Sequence, residues 1–567
     1  MDTEQLDLTL SALARNARTW ARLPVRRKVE YLTEIRRLLV EHADAWVQVA
    51  AEAKGFAPGS QLVGSEEWLA GPYPVASWLS DVITTLTRLD RGADLLEGFG
   101  VTTRPDGQVV VRVLPGNTYD SLLLSGYSID LWMEPGVTEQ TLRDTMAVFY
   151  RESDPPGRLT AVLGAGNVNA IAPLDVLYAM IADGDVAVLK LNPVNAYLRP
   201  VLEQILAPLV DDGFLVITEG GADVGEHLTR HPLVGAVHIT GSGRTYDAIV
   251  WGTGEEGQRR RAAGTPLIDK PVRAELGGVG PTIVVPGPWS DADVAYQGEH
   301  LATQRLHSSG HTCVASQVLV VPRPWPTTPR LLDAVRRAMT EAEARRTYYP
   351  QADAWHERIR AVHPQAERLG CAVPRTFVPD IAPDSDSPAF REEFFGPVYV
   401  STALTGRTPS EYLRNAVEFA NERLYGTLGA NLVVHPRTLR RMGAEIDSAV
   451  ADLRYGGIGV NVWTALGFLA GRAAWGAFPG HTREDIQSGV GHVHNALLFA
   501  RVQKTVARGP FHPFPRSVAA GELTLSPKPP WFLSNRTAAT TARLFTLFAA
   551  DPRPDRLPAI FASALRG

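Results

Sequence analysis

The hydrophobic pattern changes its period twice along the chain. Residues 5–55 place apolar side chains at three- and four-residue intervals, which predicts amphipathic helices. Between 97 and 135 the spacing falls to every second residue, in runs such as GQVVVRVLP that are bounded by Pro and Gly, and this predicts strands. From 159 onward strand-like apolar runs alternate with helix-like runs, which predicts a parallel sheet with crossover helices.

A second alternating region begins at the strand-like segment GPTIVVPG, residues 280–287, and runs to about residue 480. The last part of the chain is rich in Pro and Phe and ends in the helix-like run TARLFTLFAA. The predicted fold class is therefore α/β, with two α/β regions, a strand-rich excursion between 97 and 155, and a C-terminal extension.

Composition narrows the class of protein. The 567 residues exceed what one hydrophobic core normally serves, and the net charge of −5 is too mild to favour nucleic acid or an anionic membrane. Two cysteines cannot form a disulfide framework. The acidic N-terminus lacks a signal-peptide pattern, and the apolar run at 456–471 is too short to span a bilayer. We expect a soluble, cytoplasmic protein without an integral membrane segment.

Candidate chemistry is concentrated in short, Gly-rich segments. Cys313 follows a glycine in HSSGHTC, and Glu275 precedes a glycine pair in RAELGGVGP. Asn167 lies at a predicted strand-to-helix turn, Lys190 ends the next strand, and Ser242 stands at a predicted helix start that suits a phosphate. A thiol, a carboxylate and an amide are the groups that covalent catalysis at a carbonyl requires.

Taken in order, these segments resemble the motifs of the aldehyde dehydrogenase superfamily, and the resemblance covers roughly residues 10–490. The matching motifs are Asn167, Lys190, TGS at 240–242, ELGG at 275–278, GHTC at 310–313, EEFFGP at 392–397 and VN at 460–461. The resemblance implies a Rossmann-like cofactor domain, an α/β catalytic domain and bridging or oligomerisation strands.

The resemblance also implies a catalytic set. Cys313 would attack the aldehyde, Asn167 would stabilise the oxyanion, and Glu275 would activate the thiol or, in preference, the water that hydrolyses the thioester. The implied activity is NAD(P)-dependent oxidation of an aldehyde to a carboxylic acid. Asn117 and Asn169 also lie near glycines, but the resemblance favours Asn167 because the family spacing from the oxyanion Asn to the ribose-binding Lys fits 190 − 167 = 23.

A further set is implied to bind NAD or NADP. Its members are Lys190, Gly221, Gly225, Thr240, Gly241, Ser242, Leu276, Gly277, Glu393 and Phe395. Pro193 replaces the acid that usually grips the adenosine ribose in this family, so the preference between NAD and NADP stays open. Tyr246 and His311 also depart from the family motifs, and GTGEEGQRRRAAGTP is an insertion that we expect to form a solvated loop.

The implied domain boundaries interleave along the chain. Residues 1–96 and 156–279 form the NAD(P)-binding domain, 97–155 the bridging strands, 280–484 the catalytic domain, and 485–567 an oligomerisation strand followed by the extension. The family resemblance also predicts a homodimer or homotetramer. His492 and His494 alternate as on an exposed strand face, and without further ligands nearby they predict no metal site.

Two alternatives remain at this point. A CoA-acylating enzyme of the same superfamily is suggested by the loop GAGNVN, although such enzymes commonly lack the hydrolytic Glu that Glu275 supplies here. A catalytically silent scaffold of the same fold would suit the enlarged strands and the long tail. The substrate is expected to be an apolar or aromatic aldehyde, from the character of VNVWTALGFLAG.

Overall fold

The computed structural model describes residues 3–370 and 372–567, so Cys371 lies outside the described residues. The α/β prediction is confirmed by alternating helices and parallel strands. The strands are β1 Gly100–Thr103, β2 Val109–Leu114, β3 Ser128–Met133, β4 Leu159–Leu163, β5 Val186–Lys190, β6 Leu215–Thr218, β7 Ala236–Gly241, β8 Val272–Leu276, β9 Gly280–Val284, β10 Ser316–Arg323, β11 Glu367–Leu369, β12 Arg375–Val378, β13 Val398–Thr405, β14 Gly429–Val433, β15 Gly457–Val460, β16 Ala474–Trp475, β17 Gly489–Val490, β18 Val493–His494 and β19 Val502–Arg508.

Helices fill the connections between these strands and form most of both chain ends. The α-helices are α1 Thr3–Ala21, α2 Val25–Ala53, α3 Pro72–Asp90, α4 Thr118–Leu123, α5 Ile171–Ala182, α6 Arg199–Ile205, α7 Ala207–Asp211, α8 Ala222–Arg230, α9 Gly243–Val250, α10 Gly254–Ala263, α11 Asp291–Leu306, α12 Thr328–Glu341, α13 Ala352–Val362, α14 Pro388–Arg391, α15 Pro409–Arg423, α16 Pro436–Arg441, α17 Gly443–Asp452, α18 Leu466–Leu469, α19 Arg516–Ala519, α20 Ala538–Ala550 and α21 Leu557–Ala564. Short 3₁₀ turns span Leu142–Thr145, Val148–Arg151, Pro193–Leu198, His307–Gly310 and Pro554–Arg556, and a π-helical turn spans Gly64–Trp68.

The smaller of the two large sheets has the strand order β17-β8-β7-β4-β5-β6. Strands β4 to β8 pair in parallel, and the two-residue strand β17 pairs antiparallel with β8. Because parallel strands align their carboxyl ends, Lys190 on β5, Gly241 on β7 and Leu276 on β8 end at the same edge. That edge is where an α/β sheet of this kind binds ligands.

The larger sheet has the order β1-β2-β3-β19-β15-β14-β9-β10-β13-β12-β11. Strand β10, which follows Cys313, lies between β9 and β13 and is buried along most of its length. The strands predicted to bridge subunits join this same sheet within one chain, since β3 pairs antiparallel with β19 and β19 pairs in parallel with β15. The strand-rich region at 97–155 is thus hydrogen-bonded to the sheet whose strand β10 follows Cys313.

The C-terminal extension packs against the N-terminal helices. Arg543 on α20 forms a bidentate ion pair with Asp44 on α2, with both N–O distances 2.8 Å. The hydroxyl of Ser80 on α3 donates to the carbonyl of Ala549, at 2.7 Å. A Cβ at Gly64 would overlap the backbone of Ala538, so the π-helical turn can approach α20 this closely because it begins with glycine.

Two expectations are wrong at the level of local structure. The segment around Arg259–Arg261 is not a loop but the helix α10. Thr253 precedes this helix, and Gly264 ends it in the left-handed conformation with a φ angle of 63°. His494 does not lie on an exposed strand face, since its side chain is buried against Phe468 with ring centroids 4.6 Å apart. Among the described residues, none of the helices is both long and apolar enough to cross a bilayer.

Candidate active site

Cys313 lies on a tight loop between α11 and β10. The loop begins as a 3₁₀ turn whose Ser308 and Ser309 have positive φ angles of 52° and 54°. Gly310 has φ 78°, and a Cβ there would overlap the backbone of Gly396. The glycine that begins GHTC is therefore required by conformation and by packing, and it holds the loop of Cys313 against the segment that carries EEFFGP.

Two carboxylates lie beside the thiol. Burial, and then the nearby charge of Asp175, raises the pKa of Glu275 to about 8. Burial also raises the pKa of Glu393 to about 8, although the charge of Arg305 opposes that shift. Burial, together with the charges of Glu275 and Glu393, raises the pKa of the Cys313 thiol well above its ordinary value. The group is a cluster of neutral acids that can exchange a proton near neutral pH.

Asn167 lies at the turn between β4 and α5, as the sequence predicts, and its side chain is buried. Its Nδ2 donates to the backbone carbonyl of His311 at 2.9 Å, which ties the amide to the loop that carries Cys313. One N–H of the amide is engaged in this way, and the second is available to an oxyanion.

The two other candidate asparagines have structural duties. Asn169 donates to Glu67 Oε2 at 2.9 Å and accepts from the hydroxyl of Tyr197 at 3.1 Å. Asn117 is exposed and caps α4, where its side chain accepts from the backbone N–H of Asp120 at 2.9 Å. This geometry favours Asn167 among the three, although its role in catalysis stays a prediction.

A buried ion pair lies next to the Asn167 loop and supports it. No pattern in the sequence predicts this pair. Lys54 Nζ lies 3.0 Å from Glu67 Oε1, and both side chains are almost fully buried. The backbone carbonyl of Asn167 accepts from the Tyr348 hydroxyl at 2.9 Å and from Lys54 Nζ at 3.4 Å. The loop is thus held by partners on distant segments of the chain.

The two histidines near Cys313 are hydrogen-bonded to the backbone. His307 Nε2 lies 3.1 Å from the carbonyl of Ser65, and His311 Nδ1 lies 3.0 Å from the carbonyl of Phe395. Burial lowers the pKa of His307 to about 4 and that of His311 to about 3, so both rings are neutral at physiological pH. They position the loop and carry no charge that could polarise the thiol.

A second part of the site fits a nucleotide cofactor. A Cβ at Gly277 would overlap the carboxylate of Glu393, so the glycine lets this carboxylate lie directly against the end of β8. Within the described structure the buried Oε1 of Glu393 has no hydrogen-bond partner, which is unusual for a buried oxygen and leaves it free to accept from a ligand hydroxyl. The ring of Phe395 packs against His311 beside it, with centroids 5.3 Å apart.

The remaining predicted cofactor residues lie along the carboxyl edge of the smaller sheet. Lys190 ends β5, and its side-chain carbons would lie 3.9 Å from a Cβ placed on Gly225. Burial lowers the pKa of the Lys190 amine, although the charge of Asp223 opposes this shift. Gly221 immediately precedes α8, and Ser242 caps α9 by accepting from the Thr245 N–H at 3.2 Å. Exposed Gly241 lies at the end of β7 before this cap, and buried Leu276 ends β8.

Thr240, one of the predicted cofactor residues, has its side-chain hydroxyl hydrogen-bonded within the protein. Its Oγ1 donates to Asp175 Oδ2 at 2.6 Å, and the side chain is buried. Thr240 therefore orients Asp175, whose charge in turn raises the pKa of Glu275. Any contact of Thr240 with the cofactor would have to come from its backbone.

An apolar cavity of about 50 Å³ adjoins Cys313, and we call it the inner chamber. Trp463 forms one wall, held by a hydrogen bond of 3.0 Å from its Nε1 to the carbonyl of Val314. Trp475 donates from its Nε1 to Glu275 Oε1 at 3.3 Å, so it links the carboxylate to the chamber wall. The residues that line the inner chamber are Ser65, Leu69, Ala70, Val168, Ile171, His307, Thr312, Cys313, Val314, Trp463, Ala465, Leu466, Phe468, Leu469, Trp475 and Trp531.

Comparison with known proteins identifies the family to which this chain belongs. The family model described as the aldehyde dehydrogenase family matches residues 133–469, which is more than half of the chain. This chain therefore belongs to the aldehyde dehydrogenase family, and the predicted resemblance is confirmed.

Individual relatives are more distant. Aminoacetaldehyde dehydrogenase of Pseudomonas aeruginosa strain PAO1 is 27% identical over 265 residues, which cover 43% of this chain and 49% of the relative. The chain thus spans about half the length of this curated relative. Aldehyde dehydrogenase KauB of the same species superposes with a TM-score of 0.59 at 16% identity, covering 90% of this chain and 89% of KauB. An AldC mutant of Pseudomonas syringae, complexed with NAD+ and octanal, gives 0.55 at 20%, with 90% of each chain covered. These structural matches establish the fold.

Proposed function

We propose that this protein oxidises an aldehyde to a carboxylic acid with NAD or NADP as the oxidant, through a thioester on Cys313. The observation that carries the proposal is the position of Glu275, whose Oε1 accepts from Trp475 Nε1 at 3.3 Å on the wall of the apolar chamber that Cys313 also lines. A candidate nucleophile and a candidate base therefore adjoin one apolar cavity, although their segments lie far apart in the sequence.

The residues of the chain account for the covalent steps. Glu275 in its ionised form accepts the thiol proton, and the sulfur attacks the aldehyde carbon to form a thiohemiacetal. The free N–H of the Asn167 amide donates to the oxygen as it becomes negatively charged. After oxidation, Glu275 has released the first proton to solvent, and it accepts a proton from the water that attacks the thioester. Glu275 then returns this proton to the departing sulfur, so that the carboxylic acid and the Cys313 thiol are released.

The cofactor is assigned to the carboxyl edge of the smaller sheet. We expect Lys190 to contact the adenosine ribose, Ser242 and the start of α9 to face the phosphates, and Glu393 to accept from the ribose beside the nicotinamide. When bound, oxidised NAD(P) supplies the acceptor for the hydride that leaves the thiohemiacetal. Two structural relatives, AldC and an aldehyde dehydrogenase of Mycobacterium tuberculosis, are each complexed with NAD+.

Purified protein should form NAD(P)H when it is given an aldehyde and NAD or NADP, and Cys313→Ala should abolish that reaction while still binding the cofactor. Absorbance at the wavelength of the reduced nicotinamide measures the first result, and equilibrium titration with the reduced cofactor measures the second. Turnover by Cys313→Ala at the wild-type rate would overturn the proposal.

Transfer of the acyl group to CoA is the nearest competing reaction. The position of Glu275 beside the inner chamber supports hydrolysis, because a buried carboxylate near the thioester can activate water. The same assay with and without CoA separates the two reactions. We expect equal rates and free carboxylic acid as product, and strict dependence on CoA would contradict hydrolysis.

A silent scaffold would need none of these contacts. Labelling with iodoacetamide, with and without NAD(P), tests this alternative directly, since a functional Cys313 should react in at least one of the two states. We further propose that the protein acts in the cytoplasm as a homodimer or homotetramer. Light scattering in line with size-exclusion chromatography would measure the oligomeric state.

A further inference from the structure

A second cavity, of about 120 Å³, adjoins the inner chamber, and we call it the outer chamber. Four residues line both cavities, so the two share a wall: Leu69, Leu466, Leu469 and Trp531. All four side chains are apolar over most of their surface, so the wall between the two cavities is hydrophobic.

The C-terminal extension builds much of the outer chamber. Pro529, Pro530 and Trp531 line it from the segment before α20, Phe545 lines it from α20 itself, and Ala564 from the end of α21. Trp531 packs edge-on against Tyr127, with ring centroids 6.4 Å apart. Within the described structure the buried Nε1 of Trp531 has no hydrogen-bond partner, so the indole contributes to the chamber through its apolar ring.

The charged side chains of the outer chamber are already paired with each other. Arg472 lies 2.7 Å from Asp81 and 2.9 Å from Asp120, which compensates its charge inside the protein. Lys528 lies 3.5 Å from Glu299 and donates to the hydroxyl of Ser534 at 2.7 Å. Arg472 between two aspartates leaves a formal charge of −1, which disfavours a carboxylate, and the mostly apolar lining of the chamber suits a hydrocarbon chain.

We propose that the two chambers form one continuous site for an elongated, neutral, unbranched alkyl chain. The inner chamber holds the reacting end beside Cys313, and the outer chamber holds the distal methylenes against the extension. This inference rests on the proposed function for the identity of the reacting group, but the binding of the alkyl chain does not depend on turnover. It makes the extension part of the substrate site.

Two alanines at opposite ends of α18 allow a matched test. Ala465 precedes the helix and lines the inner chamber, whereas Ala470 follows it and lines the outer chamber. Both are partly exposed, and Ala→Phe at each position fills one chamber. The probes are the linear alcohols from 1-hexanol to 1-dodecanol, which need no catalysis, with their affinities measured by isothermal titration calorimetry.

For the wild type we expect the affinity to rise about fourfold per added methylene through the whole series, because each buried methylene contributes about 0.8 kcal/mol. In Ala470→Phe the rise should stop at the chain length that fills the inner chamber. In Ala465→Phe the affinity should fall at every length. Ala564→Phe, which fills the outer chamber from the extension, should reproduce Ala470→Phe and keeps the test valid if one variant fails to fold.

Two results would overturn the inference. One is a wild-type affinity that levels off at the shorter alcohols, and the other is an Ala470→Phe series that follows the wild type to 1-dodecanol. Loss of aldehyde oxidation is a separate outcome, since it contradicts the proposed function while the alcohol series still decides whether the two chambers form one site.

Discussion

At the residue scale, the proposed catalysis depends on proton exchange among three buried acids. Burial keeps Glu275 and Glu393 protonated to higher pH than ordinary glutamates, and burial first, with the carboxylates adding to the shift when they are ionised, raises the pKa of Cys313. Because these groups interact, their titrations are coupled and an activity profile will report the cluster as a unit. The rate of aldehyde oxidation should therefore depend steeply on pH.

We predict that the rate constant kcat of the wild type rises with pH through about 8. The pKa of Glu275 is raised, so its basic form is scarce at lower pH and accumulates as pH increases through that value. Glu275→Gln should lose this rise and lower kcat by roughly 10²- to 10⁴-fold. The exposed Glu357→Gln should keep the wild-type profile. A flat wild-type profile between pH 6 and 9 would exclude Glu275 as the rate-determining base.

Gly277→Ala should weaken NAD(P) binding, because its Cβ would displace the Glu393 carboxylate that we assign to the cofactor ribose. We expect a loss of roughly tenfold or more in affinity, equivalent to about 1.4 kcal/mol. Fluorescence titration with the reduced cofactor measures it. Gly443→Ala is the matched control, since a Cβ at that helix start meets no atom within 4 Å. Equal affinities in the two variants would argue against the cofactor cradle.

At the element scale, the features that the sequence predicts well are those coded by neighbouring residues. The end of β5 at Lys190 and the cap of α9 at Ser242 agree with their local patterns. The pairing of Lys54 with Glu67 beneath Asn167 escapes such reasoning, because it joins α2, the π-helical turn and the β4–α5 loop. Its residues have no periodic signal, and burial of the charges becomes apparent when the tertiary packing is known.

That ion pair should contribute to stability. Lys54→Met leaves Glu67 buried without its cation, and we expect the free energy of unfolding to fall by about 3 kcal/mol. The double variant Lys54→Met/Glu67→Gln should recover part of the loss. Denaturant midpoints measure both, with the exposed Arg37→Met as the control that changes little. A loss no larger than that of the control would show that the pair is not structurally important.

At the scale of the whole molecule, the extension is joined to the region of β9–β15 by a buried polar cluster. His512 lies between Asp293 on α11, with an N–O distance of 2.9 Å, and Glu522, at 2.5 Å. Arg516 also pairs with Asp293, and the ring of His435 faces His512 with centroids 6.0 Å apart. Nothing in the Pro- and Phe-rich sequence of the tail predicts this attachment, because Asp293 lies 219 residues from His512.

The cluster should make stability depend on pH. Burial lowers the pKa of His512, but hydrogen bonds to Asp293 and Glu522 outweigh it and raise the pKa to about 8. The stabilisation is therefore fully present below the ordinary histidine pKa of about 6.5 and is lost as pH rises through about 8. The melting temperature of His512→Asn should fall below that of the wild type at pH 6, and the gap should narrow at pH 9. A gap that is constant with pH would contradict a protonated His512.

If Cys313 carries the acyl group during catalysis, an acid quench during turnover will trap that group on the protein. Wild-type protein with NAD(P) and a linear aldehyde should yield a Cys313 peptide heavier by the mass of the aldehyde less two hydrogen atoms. Glu275→Gln should accumulate more of this adduct, because hydrolysis slows. Carboxylic acid formed while Cys313 remains unmodified in every quenched sample, or formed at the wild-type rate by Cys313→Ala, would contradict the account.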